Sequence, residues 1–309
     1  MMIEEEKMKF FIDRLLEEIE EKNSRICVGL DPHLDLMPES VLDPKLLDDF
    51  EKNQQQIADA VYQFNKNIID AVKEYTAVVK PQMAFYEKIG IPGLKALWKT
   101  IDYAKNKGLI VLLDGKRNDI GSTASAYAEA YLSESKKSAD SLTINPYLGS
   151  DGIIPFLENR SKGAFALLKT SNPSSGDLQD LRLEDGKKVY QKIGELLTMI
   201  GEDYLGRHGY SNLAAVVGAT YPEELAEIRS DFPSLFFLIP GYGAQGGGAE
   251  DIKDGFDKKG RGAVVNSSRG INFAYRKDEF EEFDEDNYAE AAGAAAEKMK
   301  SEINRVLGL

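Results

Sequence analysis

Eight short apolar runs, rich in β-branched residues, recur along the chain and are separated by longer amphipathic stretches. The runs are RICVGL (25–30), TAVVKP (76–81), LIVLLD (109–114), DSLTIN (140–145), AFALLK (164–169), LAAVVG (213–218), LFFLIP (235–240) and GAVVNS (262–267). Strands that are apolar throughout are typical of parallel sheets covered by helices on the outside. The intervening segments, among them 43–74, have helical spacing. Eight β–α units predict an α/β fold, a TIM (β/α)8 barrel, although a doubly wound sheet gives a similar alternation.

Three further segments complete the predicted architecture, which is a single domain over residues 1–309 with its barrel at 25–275. Residues 1–23 form an additional N-terminal helix, since Phe11, Leu15 and Ile19 fall four apart, and residues 280–309 form a C-terminal helix. The polar stretch TSNPSSGDLQDLRLEDGKK, which follows the fifth strand, is too long for an ordinary βα loop. It is either a lid, with its conformation over 171–190 left open, or a disordered surface insertion.

Composition narrows the function classes. Lys and Arg total 38 against 52 Asp and Glu, and a net charge of -14 argues against a general affinity for nucleic acid or anionic membrane. No run approaches the roughly 18 apolar residues that cross a bilayer. The lone Cys27 excludes an intrachain disulfide and fits a reducing compartment, so we expect a cytoplasmic protein. With 2 His and 1 Cys, a His/Cys metal cage is not expected.

Charged and polar residues collect where the predicted strands end, which is the edge at which TIM barrels carry their chemistry. They are Asp31 after the first strand, Lys80 and Gln82 after the second, Asp114 and Lys116 after the third, Asn145 after the fourth, and Lys169, Thr170 and Ser171 after the fifth. Strand residues two apart point the same way, so Asp114 and Lys116 share a face, with Lys80 beside them. Arg117 faces the other way, and we predict no chemical role for it. The convergence predicts an active site at the barrel mouth.

The seventh and eighth strands end in IPGYGAQGGG and NSSRG. Glycine lets backbone amides approach an anion, and Arg269 offers a planar fork that suits phosphate. We therefore predict a phosphorylated ligand here. Gly241, Gly243 and Gly246 also spell a dinucleotide-binding motif, but the next strand lacks the acidic end that this motif requires. DPHLD (31–35) has metal-ligand residue types, but its Pro32 favours a turn.

The stretch DGKRNDI (114–120) resembles the Asp-x-Lys-x-x-Asp-Ile signature of the orotidine 5'-phosphate decarboxylase family. The resemblance runs from about Arg25 to Tyr275 and includes GLDP, VVKPQ, KTSNPSS, IPGYGAQGG and NSSRGI. The TSN form and the long segment after the fifth strand are similar to the longer class of this family. The signature alone is shared by other members of the suprafamily, but the joint pattern is specific.

The resemblance implies a homodimer that converts orotidine 5'-monophosphate to UMP and carbon dioxide, the last step of de novo pyrimidine synthesis, with no metal or organic cofactor. By the same resemblance Lys116 protonates C6 of the pyrimidine, and Asp114 lies beside the departing carboxylate. The remaining implied site residues are Asp119, Ile120 and Thr123 from the partner subunit, Asp31 and Lys80 at the ribose, Ser171 at the pyrimidine amide, Gln245 and Arg269 at the phosphate, and Gln82 and Pro240 elsewhere in the pocket.

Two alternatives stay open at this point. A sugar-phosphate decarboxylase or hexulose-phosphate synthase of the same suprafamily shares the Asp-Lys-Asp core and by resemblance requires magnesium. A catalytically silent nucleotide-binding barrel is the other, and the intact Asp114, Lys116 and Asp119 argue against it.

Overall fold

The computed structural model describes residues 9–218, 222–243 and 248–309. Its eight parallel strands pair in chain order and close into a barrel, which confirms the predicted fold. The strands are β1 (Ile26–Leu30), β2 (Val78–Pro81), β3 (Ile110–Arg117), β4 (Ser141–Ile144), β5 (Gly163–Lys169), β6 (Leu213–Val217), β7 (Phe237–Pro240) and β8 (Ala263–Ser267). The eight apolar runs of the sequence therefore mark the eight strands.

Helices surround the barrel. They are α1 (Phe11–Glu21), α2 (Phe50–Val72), α3 (Met83–Glu87), α4 (Gly90–Asn106), α5 (Gly121–Leu132), α6 (Val189–Gly201), α7 (Pro222–Asp231), α8 (Ala249–Ile252), α9 (Arg269–Asn272) and α10 (Tyr288–Leu307). In the described ranges no helix combines the length and the apolar character that a membrane crossing requires.

The C-terminal helix starts later than the predicted residue 280. The Asp284 carboxylate accepts hydrogen bonds from the backbone N–H groups of Asp286 and Asn287 and from the Asn287 side chain. Such local side-chain bonds compete with helix formation, so the acidic stretch forms a turn and α10 begins at Tyr288.

The N-terminal helix α1 closes the lower end of the barrel. Its buried residues Phe11, Ile12, Leu15, Leu16 and Ile19 form one apolar cluster with the inward-facing strand residues. Gly163 permits this contact, because a Cβ there would lie 2.2 Å from the Phe11 ring. The barrel is thus filled and covered from below, and its open mouth lies at the carboxyl ends of the strands.

Candidate active site

The last residues of β3 bring two charges into the barrel mouth. Ile110 and Leu112 belong to the apolar cluster inside the barrel, and Val111 and Leu113 belong to the core between the barrel and its helices. Alternation along the strand therefore directs Asp114 inward, as predicted.

Asp114 accepts hydrogen bonds from four side chains. One carboxylate oxygen, Oδ2, accepts from Lys80 Nζ at 2.9 Å and from Gln82 Nε2 at 2.9 Å. The other, Oδ1, accepts from Lys116 Nζ at 2.6 Å and from Thr143 Oγ1 at 2.8 Å. Side chains from β2, β3 and β4 and from the residue that follows β2 thus converge on one buried carboxylate.

Charge pairing outweighs burial at Asp114 and Lys80. Burial by itself would raise the pKa of the Asp114 carboxyl, but the ammonium groups of Lys80 and Lys116 hold that pKa well below its usual range. Burial would likewise lower the pKa of Lys80, and the carboxylates of Asp114 and Asp31 raise it instead. The Asp114 carboxyl therefore stays ionised and the Lys80 amine stays protonated over the whole physiological pH range.

Lys116 occupies an unusual backbone conformation. Its φ is 45°, and Asn23 is the other non-glycine residue with positive φ in the described ranges. This left-handed conformation costs about 1–2 kcal/mol for a residue with a Cβ. Thr143 helps to stabilise it, since Thr143 Oγ1 accepts a hydrogen bond from Lys116 N at 2.9 Å. The Lys116 side chain is 46% exposed and extends into the mouth.

Unpartnered polar atoms lie on the β1 and β8 side of the mouth. Asp31 Oδ1 and Asn266 Oδ1 are buried without a hydrogen-bond partner among the described residues, so both can accept from a ligand. Gly29 allows the two strand ends to approach, because a Cβ there would lie 1.9 Å from Ser268 Oγ.

Asp119, Ile120 and Thr123 make no side-chain hydrogen bond or ion pair to this cluster among the described residues. The Asp119 carboxylate accepts a hydrogen bond from the Ile120 backbone at 2.8 Å, and Ile120 is 52% exposed. Thr123, in the first turn of α5, is also exposed. Among the described residues, Asp114 is the carboxylate that lies within ion-pair distance of Lys116.

The segment between β5 and α6 (residues 170–188, the β5–α6 segment) folds against the barrel. Gln179 makes two hydrogen bonds to Thr170, one to its backbone N–H at 2.9 Å and one to its hydroxyl at 2.8 Å. Lys169, buried at the end of β5, pairs with Asp180 at 2.8 Å. Ser171 lines a cavity of about 610 Å³ beneath this segment. The segment is an ordered part of the structure, so the disordered alternative was wrong.

Two of the three residues predicted near the phosphate lie in the described part of the chain. Pro240 ends β7 and is half-buried, and Arg269 begins α9 with an exposed side chain. Gln245 lies outside the described residues. His33, in the segment DPHLD with its metal-ligand residue types, packs its ring edge-on against Phe85 at a centroid distance of 4.6 Å.

The sequence interpretation missed Thr143. A threonine inside an apolar strand is usually a β-former. Its inward direction follows from Leu142 and Ile144, which lie in the core between the barrel and its helices.

Comparisons with known proteins place the chain in a family. The family model described as "Orotidine 5'-phosphate decarboxylase / HUMPS family" matches residues 24–281. The chain is 46% identical over 305 residues to the orotidine 5'-phosphate decarboxylase of Rhodopirellula baltica, covering 96% of this chain and 99% of that protein. It is 44% identical over 301 residues to the enzyme of the same name from Clostridium novyi, covering 96% and 100%. The solved structure of Leishmania donovani OMP decarboxylase superposes with a TM-score of 0.75 at 32% identity, covering 97% and 99%.

Proposed function

The chain belongs to the orotidine 5'-phosphate decarboxylase / HUMPS family, and on that premise we propose that it decarboxylates orotidine 5'-monophosphate with Lys116 as the proton donor. Relatives that match it along almost their full length carry the decarboxylase name, so the enzyme is a carboxy-lyase. One observation carries the assignment of Lys116, namely its 2.6 Å bond to a buried Asp114 that Lys80, Gln82 and Thr143 also contact.

The reaction follows from this arrangement. The bond between C6 and the carboxylate carbon breaks, its electron pair stays on C6, and carbon dioxide leaves. The Lys116 ammonium stabilises the charge that develops at C6 and then transfers a proton to it, which leaves a neutral amine. Asp114 repels the substrate carboxylate, and departure of carbon dioxide relieves that repulsion.

Contacts remote from C6 supply the binding energy that holds the base against this repulsion. We assign Asp31 and Lys80 to the ribose, Ser171 to the pyrimidine amide, and Arg269 with Gln245 to the phosphate. Gln82 holds Asp114, which narrows its expected pocket role to orienting that carboxylate. Pro240 lines the phosphate end of the mouth.

The direct test is the fall in ultraviolet absorbance as purified protein consumes orotidine 5'-monophosphate. We expect turnover that EDTA does not diminish, and loss of turnover in Lys116→Ala. Lys107→Ala is the matched control, because Lys107 forms a comparable 2.8 Å pair with Asp70 on the outside of the barrel. Turnover that requires magnesium would favour the sugar-phosphate alternative, and substantial activity in Lys116→Ala would overturn the proton-donor assignment.

The active site is shared between two subunits in this proposal. Exposed apolar side chains adjoin Asp119, on the loops that follow β3 and β4: Ile120 (52% exposed), Tyr147 (75%), Leu148 (44%) and Ile154 (42%). A patch of this kind is typical of an interface. Gly152 connects it to the site, because a Cβ there would lie 3.2 Å from both the Asp119 carbonyl oxygen and Leu148 Cβ. A partner at this patch would receive Asp119, Ile120 and Thr123.

Hybrid dimers test the sharing. Chains with Asp119→Ala retain Lys116, and chains with Lys116→Ala retain Asp119, so a mixed dimer has one intact site. We expect mixing to restore activity that neither variant has alone. Hybrids proven by mass spectrometry and yet inactive would refute the shared site.

A further inference from the structure

Arg117, which the sequence placed outside the chemistry, contacts three elements behind the active site. Its Nη1 donates to the Gly115 carbonyl at 2.9 Å, and its Nη2 donates to the Glu87 carboxylate at the end of α3 at 2.7 Å. Its guanidinium carbon lies 5.6 Å and 5.4 Å from the ring centres of Tyr127 and Tyr131 on α5. One side chain thus joins β3, α3 and α5.

The hydrogen bond from Arg117 to the Gly115 carbonyl affects how the Lys116 side chain is oriented. Gly115 supplies the peptide carbonyl immediately before Lys116, whose φ of 45° is a conformation that a lysine rarely adopts. Both side chains hydrogen-bond the peptide group between Gly115 and Lys116. Thr143 accepts from the N–H of this peptide on the inside of the barrel, and Arg117 donates to its C=O on the outside. The peptide that aims Lys116 is therefore held from both sides.

The contact of Arg117 with the two tyrosine rings affects the position of Asp119, the part of the site that a partner would receive. Tyr127 and Tyr131 lie on α5 with their rings stacked at an interplanar angle of 13°. The same helix begins at Gly121, directly after Asp119 and Ile120. A cation over these rings contributes about 0.5–2 kcal/mol and fixes α5 against the end of β3.

We propose that Arg117 is a positioning residue for both halves of the active site, through the Gly115 carbonyl for Lys116 and through Tyr127 and Tyr131 for Asp119. The inference rests on the proposed function. It adds to that function a residue that never touches substrate but fixes Lys116 in its own chain's site and the Asp119 carboxylate that the same chain presents to the partner's site.

The first test separates positioning from binding and from stability. We expect Arg117→Met to lower kcat 10- to 100-fold, because a displacement of about 1 Å at the reacting groups costs up to about 100-fold. KM and the affinity for UMP should change less than threefold. Arg117→Lys should remain within threefold of the Met variant, because an ammonium cannot donate to Gly115 and Glu87 while stacking on both rings.

Arg160→Met is the matched control. Arg160 also lies over two aromatic rings, Phe10 at 5.2 Å and Tyr204 at 5.6 Å, but at the lower end of the barrel. Its kcat should stay within twofold of the parent. A loss of kcat below threefold in Arg117→Met, or an equal loss in Arg160→Met, would overturn the proposal. Should the Met variant fail to fold, the same thresholds apply to Arg117→Lys.

Hybrid dimers measure separately how Arg117→Met acts through Lys116 and through Asp119. The reference pairs Asp119→Ala chains with Lys116→Ala chains. Arg117→Met is then added either to the chain that retains Lys116 or to the chain that retains Asp119, and each addition should lower hybrid activity at least threefold. An effect from the first chain alone would overturn the α5 half of the proposal. An inactive reference hybrid would refute the shared site instead, while kcat of the Arg117→Met homodimer still decides the role toward Lys116.

Discussion

Replacement of Thr143 by valine removes two hydrogen bonds at the centre of the site while it preserves side-chain shape. Thr143 is 1% exposed, donates to Asp114 Oδ1 at 2.8 Å and accepts from Lys116 N at 2.9 Å. The substitution therefore acts on the orientation of the Asp114 carboxylate and on the left-handed turn at Lys116 together.

The magnitude follows from the two bonds. A hydrogen bond to a charged group contributes about 1.5–3 kcal/mol, and the Lys116 N–H, which is only partly buried, adds about 1 kcal/mol when it loses its acceptor. We expect the free energy of unfolding to fall by about 3 kcal/mol. We also expect kcat to fall about 10- to 100-fold, because Lys116 would no longer be aimed by its backbone.

The assay combines urea unfolding with initial rates from the absorbance of orotidine 5'-monophosphate. Thr143→Ser, which keeps the hydroxyl, should recover most of kcat. Thr76→Val is the control, since Thr76 is equally buried and donates to the Ile26 carbonyl at 2.9 Å, ahead of β2 and away from the mouth. It should lose about 1 kcal/mol of stability and no activity. Equal kcat losses in Thr143→Val and Thr76→Val, or a kcat for Thr143→Val within threefold of the parent, would refute the reasoning.

Three further outcomes are expected. Arg269→Ala should weaken UMP binding about 10- to 100-fold in calorimetry without changing uridine binding, since a charge-assisted contact contributes about 1.5–3 kcal/mol; unchanged UMP affinity would exclude Arg269 from the phosphate site. The depressed pKa of Asp114 contributes stability that is complete above about pH 4 and is lost as pH falls further, so Asp114→Asn should flatten the acid decline of unfolding free energy, and parallel declines would contradict this. Gly29→Ala should destabilise the fold by about 1–3 kcal/mol because its Cβ would overlap Ser268 Oγ, and failure of Ser268→Gly to rescue it would show another cause.

Periodicity predicted the strands and the inward face of β3. Residues two apart on a strand share a side, and this rule placed Asp114 inside the barrel and Arg117 outside it. The eight apolar runs identified their strands because each strand is buried on both faces.

The other features of the site and the fold depended on tertiary contacts and local hydrogen bonds that a hydrophobic pattern does not contain. The backbone of Lys116 reaches Thr143 because the pairing of β3 with β4 shifts its register between Leu113 and Arg117, and a single sequence carries no signal for that irregularity. The left-handed backbone of Lys116 was equally hidden, since the residue type disfavours it and only tertiary contacts stabilise it. The delayed start of α10 reflects hydrogen bonds of Asp284 that compete with an otherwise suitable helical pattern.

Closure of the barrel floor by α1 has a consequence for how the chain folds. The helix precedes every strand in synthesis, yet its apolar face packs against residues from Cys27 in β1 to Val264 in β8. Its binding surface is complete only when the last strand has joined, so these contacts have high sequence separation and form late. Until then five large apolar side chains stay exposed on a short helix. A nascent or partly unfolded chain is therefore most prone to aggregation through α1. A polar substitution on the apolar face of α1 would reduce that tendency but would also remove the packing that closes the lower end of the barrel.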